Sequence, residues 1–135
     1  MLDGDEAPDD PRDGGSVGKR ILIVNQRPPH GSILAQEALE VVMIAAAFEQ
    51  AVSLLFIDDG VWQLKSGQQP ETLRMKNFSK TFAALPDFDV EDVYVDVESL
   101  TAAGLEVESL CIEVQLCDRA SARRLIETSD VVLTF

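Results

Sequence analysis

The amino-acid sequence predicts an α/β domain: a three-layer α/β/α sandwich on a mostly parallel, five-stranded sheet. Short β-rich apolar runs alternate with helix-forming stretches from residue 19 to the end of the chain, the order that successive βαβ units produce. The first run, Arg20-Ile-Leu-Ile-Val24, is apolar at every position after the arginine, the pattern of a strand covered on both faces. With 135 residues, 46% of them apolar, the chain can fill one core of ordinary size.

Residues 1–18 are rich in Asp, Gly and Pro and poor in bulky apolar residues, so burial cannot offset the entropy of ordering them. They are expected to form a disordered acidic extension, either plainly solvated or an arm for a basic partner, with the folded domain spanning residues 19–135. After the first strand, Asn25-Gln-Arg-Pro-Pro-His-Gly31 breaks the pattern, because proline fixes φ and lacks a backbone donor. Ser32 is placed to cap a helix running to about Gln50. That helix carries Val41-Val-Met-Ile-Ala-Ala-Ala-Phe48 without a polar interruption. A helix on a sheet needs only an apolar stripe, so the outer side here requires a cover, either another subunit or later segments of the same chain.

Val52 to Ile57 gives the second strand, followed by Asp58-Asp-Gly60 and a short helical turn over Val61-Trp-Gln-Leu64. Lys65 to Pro70 is a polar loop. Leu73, Phe78, Phe82 and Leu85 mark a second packed helix from Thr72 to about Leu85, stopped by Pro86. Val93 to Val97 is strand three, and Glu98 to Ala103 a short helix closed by Gly104. Leu110-Cys-Ile-Glu-Val114 predicts strand four. Asp118 or Ser121 begins the last helix, through Arg123-Arg-Leu-Ile-Glu127, and Val131 to Phe135 is the closing strand.

A net charge of −13 would repel a phosphate backbone, which excludes nucleic acid and anionic membrane as natural partners and favours a soluble chain able to steer a basic protein. Cys111 and Cys117 are the only cysteines and do not suggest a structural disulfide or a zinc site. There is no secretory pattern and no apolar run of the roughly 20 residues a membrane span needs, so a reducing cytoplasm is the expected setting.

Reactive groups in such sheets gather beyond the carboxyl ends of the strands. His30 and Gly31 lie in the first of those loops, where backbone amides at a helix start could hold an anion; neither a dinucleotide fingerprint nor a P-loop is present. The lone histidine otherwise reads as a surface or packing residue. Asp58 and Asp59 could take a hard cation only with a third carboxylate, and otherwise form a solvated turn. Asp96 stands at the start of a short helix, where the dipole favours an acid. Cys117 precedes a helix, a place that could lower its pKa and suit it to carrying a persulfide. Cys111, placed mid-strand, reads as an inert core residue. No cofactor or metal site is legible.

The chain resembles the DsrE/DsrF family, and within it the DsrF or TusC-like branch. The resemblance rests on Arg20-Ile-Leu-Ile-Val24, Pro29-His-Gly31, Phe56-Ile-Asp-Asp-Gly-Val-Trp-Gln-Leu64 with Gly67-Gln68, and Ser129-Asp-Val-Val-Leu-Thr-Phe135. It implies a flavodoxin-like, DsrEFH-like fold and a subunit of an α2β2γ2 hexamer with DsrE-like and DsrH-like chains. Such complexes pass sulfane sulfur as cysteine persulfide, meeting DsrC-like or TusA-like carrier proteins, in sulfur oxidation or in tRNA 2-thiouridine synthesis. Counted back from Gly104, the position of the family's reactive cysteine is Asp96, and a carboxylate cannot carry a persulfide. The resemblance therefore implies a non-catalytic, architectural subunit, with sulfur oxidation favoured over tRNA thiolation. Two other readings stay open: a sulfurtransferase subunit using Cys117, and a stand-alone anion or nucleotide binder using the His30-Gly31 loop.

Overall fold

The computed structural model describes residues 19–29, 33–66 and 78–135. Five strands form one sheet in the order β4-β3-β2-β1-β5, with every adjacent pair parallel. They are β1 (Arg20–Asn25), β2 (Ala51–Phe56), β3 (Asp92–Asp96), β4 (Gln115–Cys117) and β5 (Val131–Thr134). The helices are α1 (Leu34–Ala47), α2 (Phe78–Ala84), α3 (Val97–Ala102) and α4 (Arg119–Thr128). Four strands are laid down from β1 outward to β4. The chain then returns through α4 to place β5 on the far side of β1, which makes β1 the topological switch point.

Strand periodicity divides the core in two. On one face Ile23, Val52, Leu54, Phe56, Val93 and Val95 pack under α1, with Val61, Leu64, Phe82, Leu85 and Leu100 completing the cluster. Phe56 and Phe82 meet edge to face, centroids 5.8 Å apart at 82°. On the other face Leu22, Val24, Leu55 and Cys117 pack against Ala122 and Leu125 of α4. One face is thus deep and the other thin.

The predicted strand at Leu110 to Val114 is corrected: β4 is Gln115–Cys117. Leu110 makes a single antiparallel bridge to Lys65, and the Cys111 amide donates to the Leu64 carbonyl at 2.7 Å. Leu110, Cys111, Ile112 and Val114 are half-buried against the deep core. Their apolar character reports that packing, not sheet pairing, and Cys111 is not a mid-strand residue. β4 itself is a short edge strand with Leu116 exposed, as an edge exposed to solvent permits.

Helix boundaries also shift. α1 starts at Leu34, with Ile33 at its N-cap and no side-chain cap; Ser32 lies outside the described residues, as do His30 and Gly31. The second helix is described only from Phe78; it ends at Ala84, just before Pro86 as expected, and a 3-10 turn, Leu85–Phe88, follows with Pro86 in its first turn, where the missing donor costs nothing. Along α1, Ala35, Ala38, Leu39 and Val42 are buried and Val41, Met43, Ala45 and Ala46 partly so, whereas Ile33, Ile44 and Phe48 face outward, Phe48 at 72% exposure. The chain covers most of the apolar helix but not its outer edge. No helix among the described residues is long and apolar enough to cross a membrane.

A 3-10 segment, Asp58–Leu64, folds over the carboxyl ends of β1 and β2. The Ile57 amide donates to the Asn25 carbonyl at 3.1 Å, and a Cβ on Gly60 would stand 1.9 Å from that same oxygen. Glycine is required there for close approach, not for its φ. Gly60→Ala should therefore lower the stability by at least about 2 kcal/mol, read as a shift in the urea midpoint with unchanged slope.

Candidate functional site

The site grows from the end of β3. Val93 and Val95 anchor the strand in the deep core, which turns Asp96 toward the thin face with no exposure at all. Asp96 caps α3: its Oδ2 accepts from the Ser99 amide at 3.1 Å and the Ser99 hydroxyl at 2.7 Å. The same oxygen accepts from Arg119 Nε at 3.0 Å. Ser99 Oγ in turn accepts from the Asp58 amide at 2.8 Å, with Asp58 held in the left-handed region at φ 51°. One carboxylate oxygen so ties together the turn after β2, the start of α3 and the start of α4. Its partner Oδ1 is buried and has no hydrogen-bond partner, as does Asn25 Nδ2 at the end of β1.

Arg119 is the exposed member of the ion pair, with 60% of its side chain open to solvent, and it also lies 3.8 Å from Glu98. Asp96 and Glu98 raise the guanidinium's affinity for its proton, which keeps the positive charge fixed over the buried carboxylate. Above the pair is a hollow of about 520 Å³ lined by Asp58, Asp59, Trp62, Glu98, Ser99 and Arg119 among others. Asp58 and Asp59 are both exposed, and among the described residues no group of three or more His, Cys, Asp or Glu is arranged to hold a metal ion.

Cys117 sits in register beside Asp96, both on the thin face. The residue is 9% exposed and lines a groove of about 360 Å³ with Tyr94, Leu116, Arg124 and Leu125. The expectation that a helix start lowers its pKa is corrected. Burial first, and then the carboxylates of Asp96 and Asp118, push the thiol above its ordinary range. α4 is capped instead by Asp118, whose carboxylate accepts from the Ser121 amide at 2.8 Å and is held below the usual carboxylate range by the Ser121 hydrogen bonds.

The structure therefore brings Asp96 and Cys117 together and leaves Cys111 at the other edge of the molecule's core, on the deep face. Sequence reasoning missed Ser99, Arg119 and the buried Asn25. Asp96-x-x-Ser99 is an N-cap spacing that could have named Ser99. Arg119 was hidden by the misplaced fourth strand, which left its distance from the sheet end undefined.

A parallel β4-β3-β2-β1-β5 sheet with helices packed on both faces defines a small α/β sandwich chain. The family model for the DsrE/DsrF-like family matches residues 19–135, and the chain belongs to that family. It is 42% identical over 134 residues to the intracellular sulfur oxidation protein DsrF of Allochromatium vinosum, covering 88% of this chain and 98% of that one. It is 36% identical over 118 residues to a TusC homolog of Pseudomonas aeruginosa, covering 87% and 99%. The crystal structure of the ychN protein from E. coli superposes with a TM-score of 0.75 at 21% identity, over 88% of this chain and 100% of that one, a likeness of fold.

Ser99→Ala removes both a donor to Asp96 and the acceptor for the Asp58 amide, and should cost about 1–3 kcal/mol in chemical denaturation. Arg119→Ala should cost less, because water screens its exposed end of the pair; a larger loss for Arg119→Ala would contradict this ranking. A thiol whose folded pKa is raised favours the fold below its unfolded pKa and loses that contribution as pH rises through the folded value. Stability should accordingly fall above about pH 8.5, the unperturbed cysteine value, and the fall should be smaller in Cys117→Ser.

Proposed function

We propose that the chain is a non-catalytic subunit of a cytoplasmic, hetero-oligomeric sulfur-transfer complex of the DsrEFH type, supporting persulfide relay during sulfur oxidation. The observation that carries this reading is Asp96. Transfer of sulfane sulfur needs a thiolate that can attack and leave, and the place where the family's reactive cysteine would stand holds a carboxylate instead. That carboxylate is buried and committed to Ser99 and Arg119, so its work is to fix the loops around the strand ends.

Cys117 does not replace the missing thiol well. It is buried, and its neighbours favour the protonated form, which is not the nucleophile. The outward Ile33, Ile44 and Phe48 support a role in assembly, since bulky apolar side chains at one edge of a helix gain most when a second chain covers them. DsrE-like and DsrH-like chains are the proposed partners, in an α2β2γ2 hexamer that meets DsrC-like or TusA-like carriers. Sulfur oxidation is preferred to tRNA thiolation because identity to the DsrF protein, 42%, exceeds that to the TusC homolog, 36%.

Co-expression with DsrE-like and DsrH-like subunits, followed by native mass spectrometry, should give one stoichiometric complex containing this chain. Reconstituted relay from a sulfane donor to a DsrC-like carrier should persist at near wild-type rate with Cys117→Ser and with Cys111→Ser. Loss of relay in the Cys117 variant, with persulfide mapped to that residue in the wild type, would reassign the chain as a sulfur carrier.

A further inference from the structure

The thin face carries a second feature that the relay reading leaves unused. In a chain of net charge −13, three of the eleven Lys and Arg residues, Arg119, Arg123 and Arg124, fall within six positions on α4. Arg119 is engaged by Asp96. Arg123 and Arg124 are exposed, and among the described residues neither forms an ion pair. Arg124 lines the groove that holds Cys117, together with the apolar Tyr94, Leu116 and Leu125. This is an amphipathic groove with a cationic rim on an otherwise acidic protein.

Residues 1–18, which lie outside both the described structure and the family match, have the opposite character: six Asp and Glu against one Arg. Where they join the fold is defined. The Arg20 amide donates to Asp130 Oδ2 at 2.8 Å and the Asp130 amide donates to the Arg20 carbonyl at 2.9 Å. Asp130 stands two residues beyond Thr128, the last residue of α4. The acidic segment therefore leaves the domain at the foot of the very helix that bears the arginines. Arg124 lies four residues, or about 6 Å of helix axis, above that foot. A five-residue run of the composition Gly14-Gly-Ser-Val-Gly18 has a random-chain span of about 12 Å, enough reach to bring Asp13 and the acids before it alongside Arg123 and Arg124.

We propose that residues 1–18 dock in cis on the arginine-bearing flank of α4 and cover the groove that contains Cys117. Isolated surface ion pairs are weak. A short tether, however, supplies an effective concentration on the order of millimolar, so a weak site suffices to hold the segment for much of the time. The contact is electrostatic and yields to salt. It shields the only thiol on the thin face, and a partner with a stronger claim on α4 would displace it.

The test uses the full chain carrying Cys111→Ser, so that Cys117 is the sole thiol. Neutralising the segment (Asp3→Asn, Asp5→Asn, Glu6→Gln, Asp9→Asn, Asp10→Asn, Asp13→Asn) should raise the rate of Cys117 modification by a disulfide reagent at low ionic strength by at least roughly fivefold. Salt at about 0.5 M, which shortens the Debye length to a few ångströms, should bring the unmodified segment to the same rate. Equal rates for charged and neutralised segments at low salt would overturn the proposal. A second readout does not depend on the thiol: with Arg124→Lys, a zero-length carbodiimide should join the amine introduced at position 124 to carboxylates of residues 3–13 within one chain. Cross-links only between chains would assign the groove to a second copy, and cross-links to neither would leave the arginine flank unoccupied; either result rejects docking in cis.

Discussion

The carboxyl end of the sheet is organised around one oxygen atom. Asp96 Oδ2 accepts hydrogen bonds from the Ser99 amide, the Ser99 hydroxyl and Arg119, and through Ser99 it reaches the Asp58 amide. A buried carboxylate is costly unless paired and hydrogen-bonded, so these contacts are a condition of Asp96 being where it is. They also join segments far apart in sequence: the turn after β2, the cap of α3 and the first residue of α4. The unpartnered Oδ1 shows that the arrangement commits one edge of the carboxylate fully and leaves the other edge bare.

The same geometry explains why an acid is held at this position. The end of a parallel strand, opening a short helix and facing a cationic side chain, stabilises whatever anion stands there. On the carboxylate of Asp96 those contacts make a rigid joint. Cys117 lies one strand away on the same face, yet burial and the nearby carboxylates of Asp96 and Asp118 disfavour its thiolate. Proximity to a helix start is not sufficient when a carboxylate side chain already occupies the cap.

The two faces of the sheet divide the remaining work. The deep face holds α1, α2, α3 and the half-buried Leu110 to Val114 segment, and it carries the large cluster that stabilises the domain. Among the described residues the thin face is covered by α4, and it presents the groove, the arginines and the thiol. Outward apolar residues sit on the deep side at Ile33, Ile44 and Phe48, so contacts through α1 and contacts through α4 would engage opposite sides of the molecule.

Residue pattern alone determined the class of fold and four of the strands. β1, β2, β3 and β5 are local: their apolar runs are short and bounded by turn residues, and those of β1, β2 and β3 are largely buried. It also marked Asp96, through its spacing to Gly104 and the family resemblance. The fourth strand was not legible, because Leu110 to Val114 and Gln115 to Cys117 differ in which neighbour they meet, and apolar content records burial without saying whether a sheet or a loop provides it. Nor could sequence order show that Ser99, Arg119 and Asp58 converge on one oxygen, or that Cys117 is buried beside two acids, since both depend on strands brought into register across long stretches of chain. Local propensity writes the elements; only long-range packing decides which charges they share.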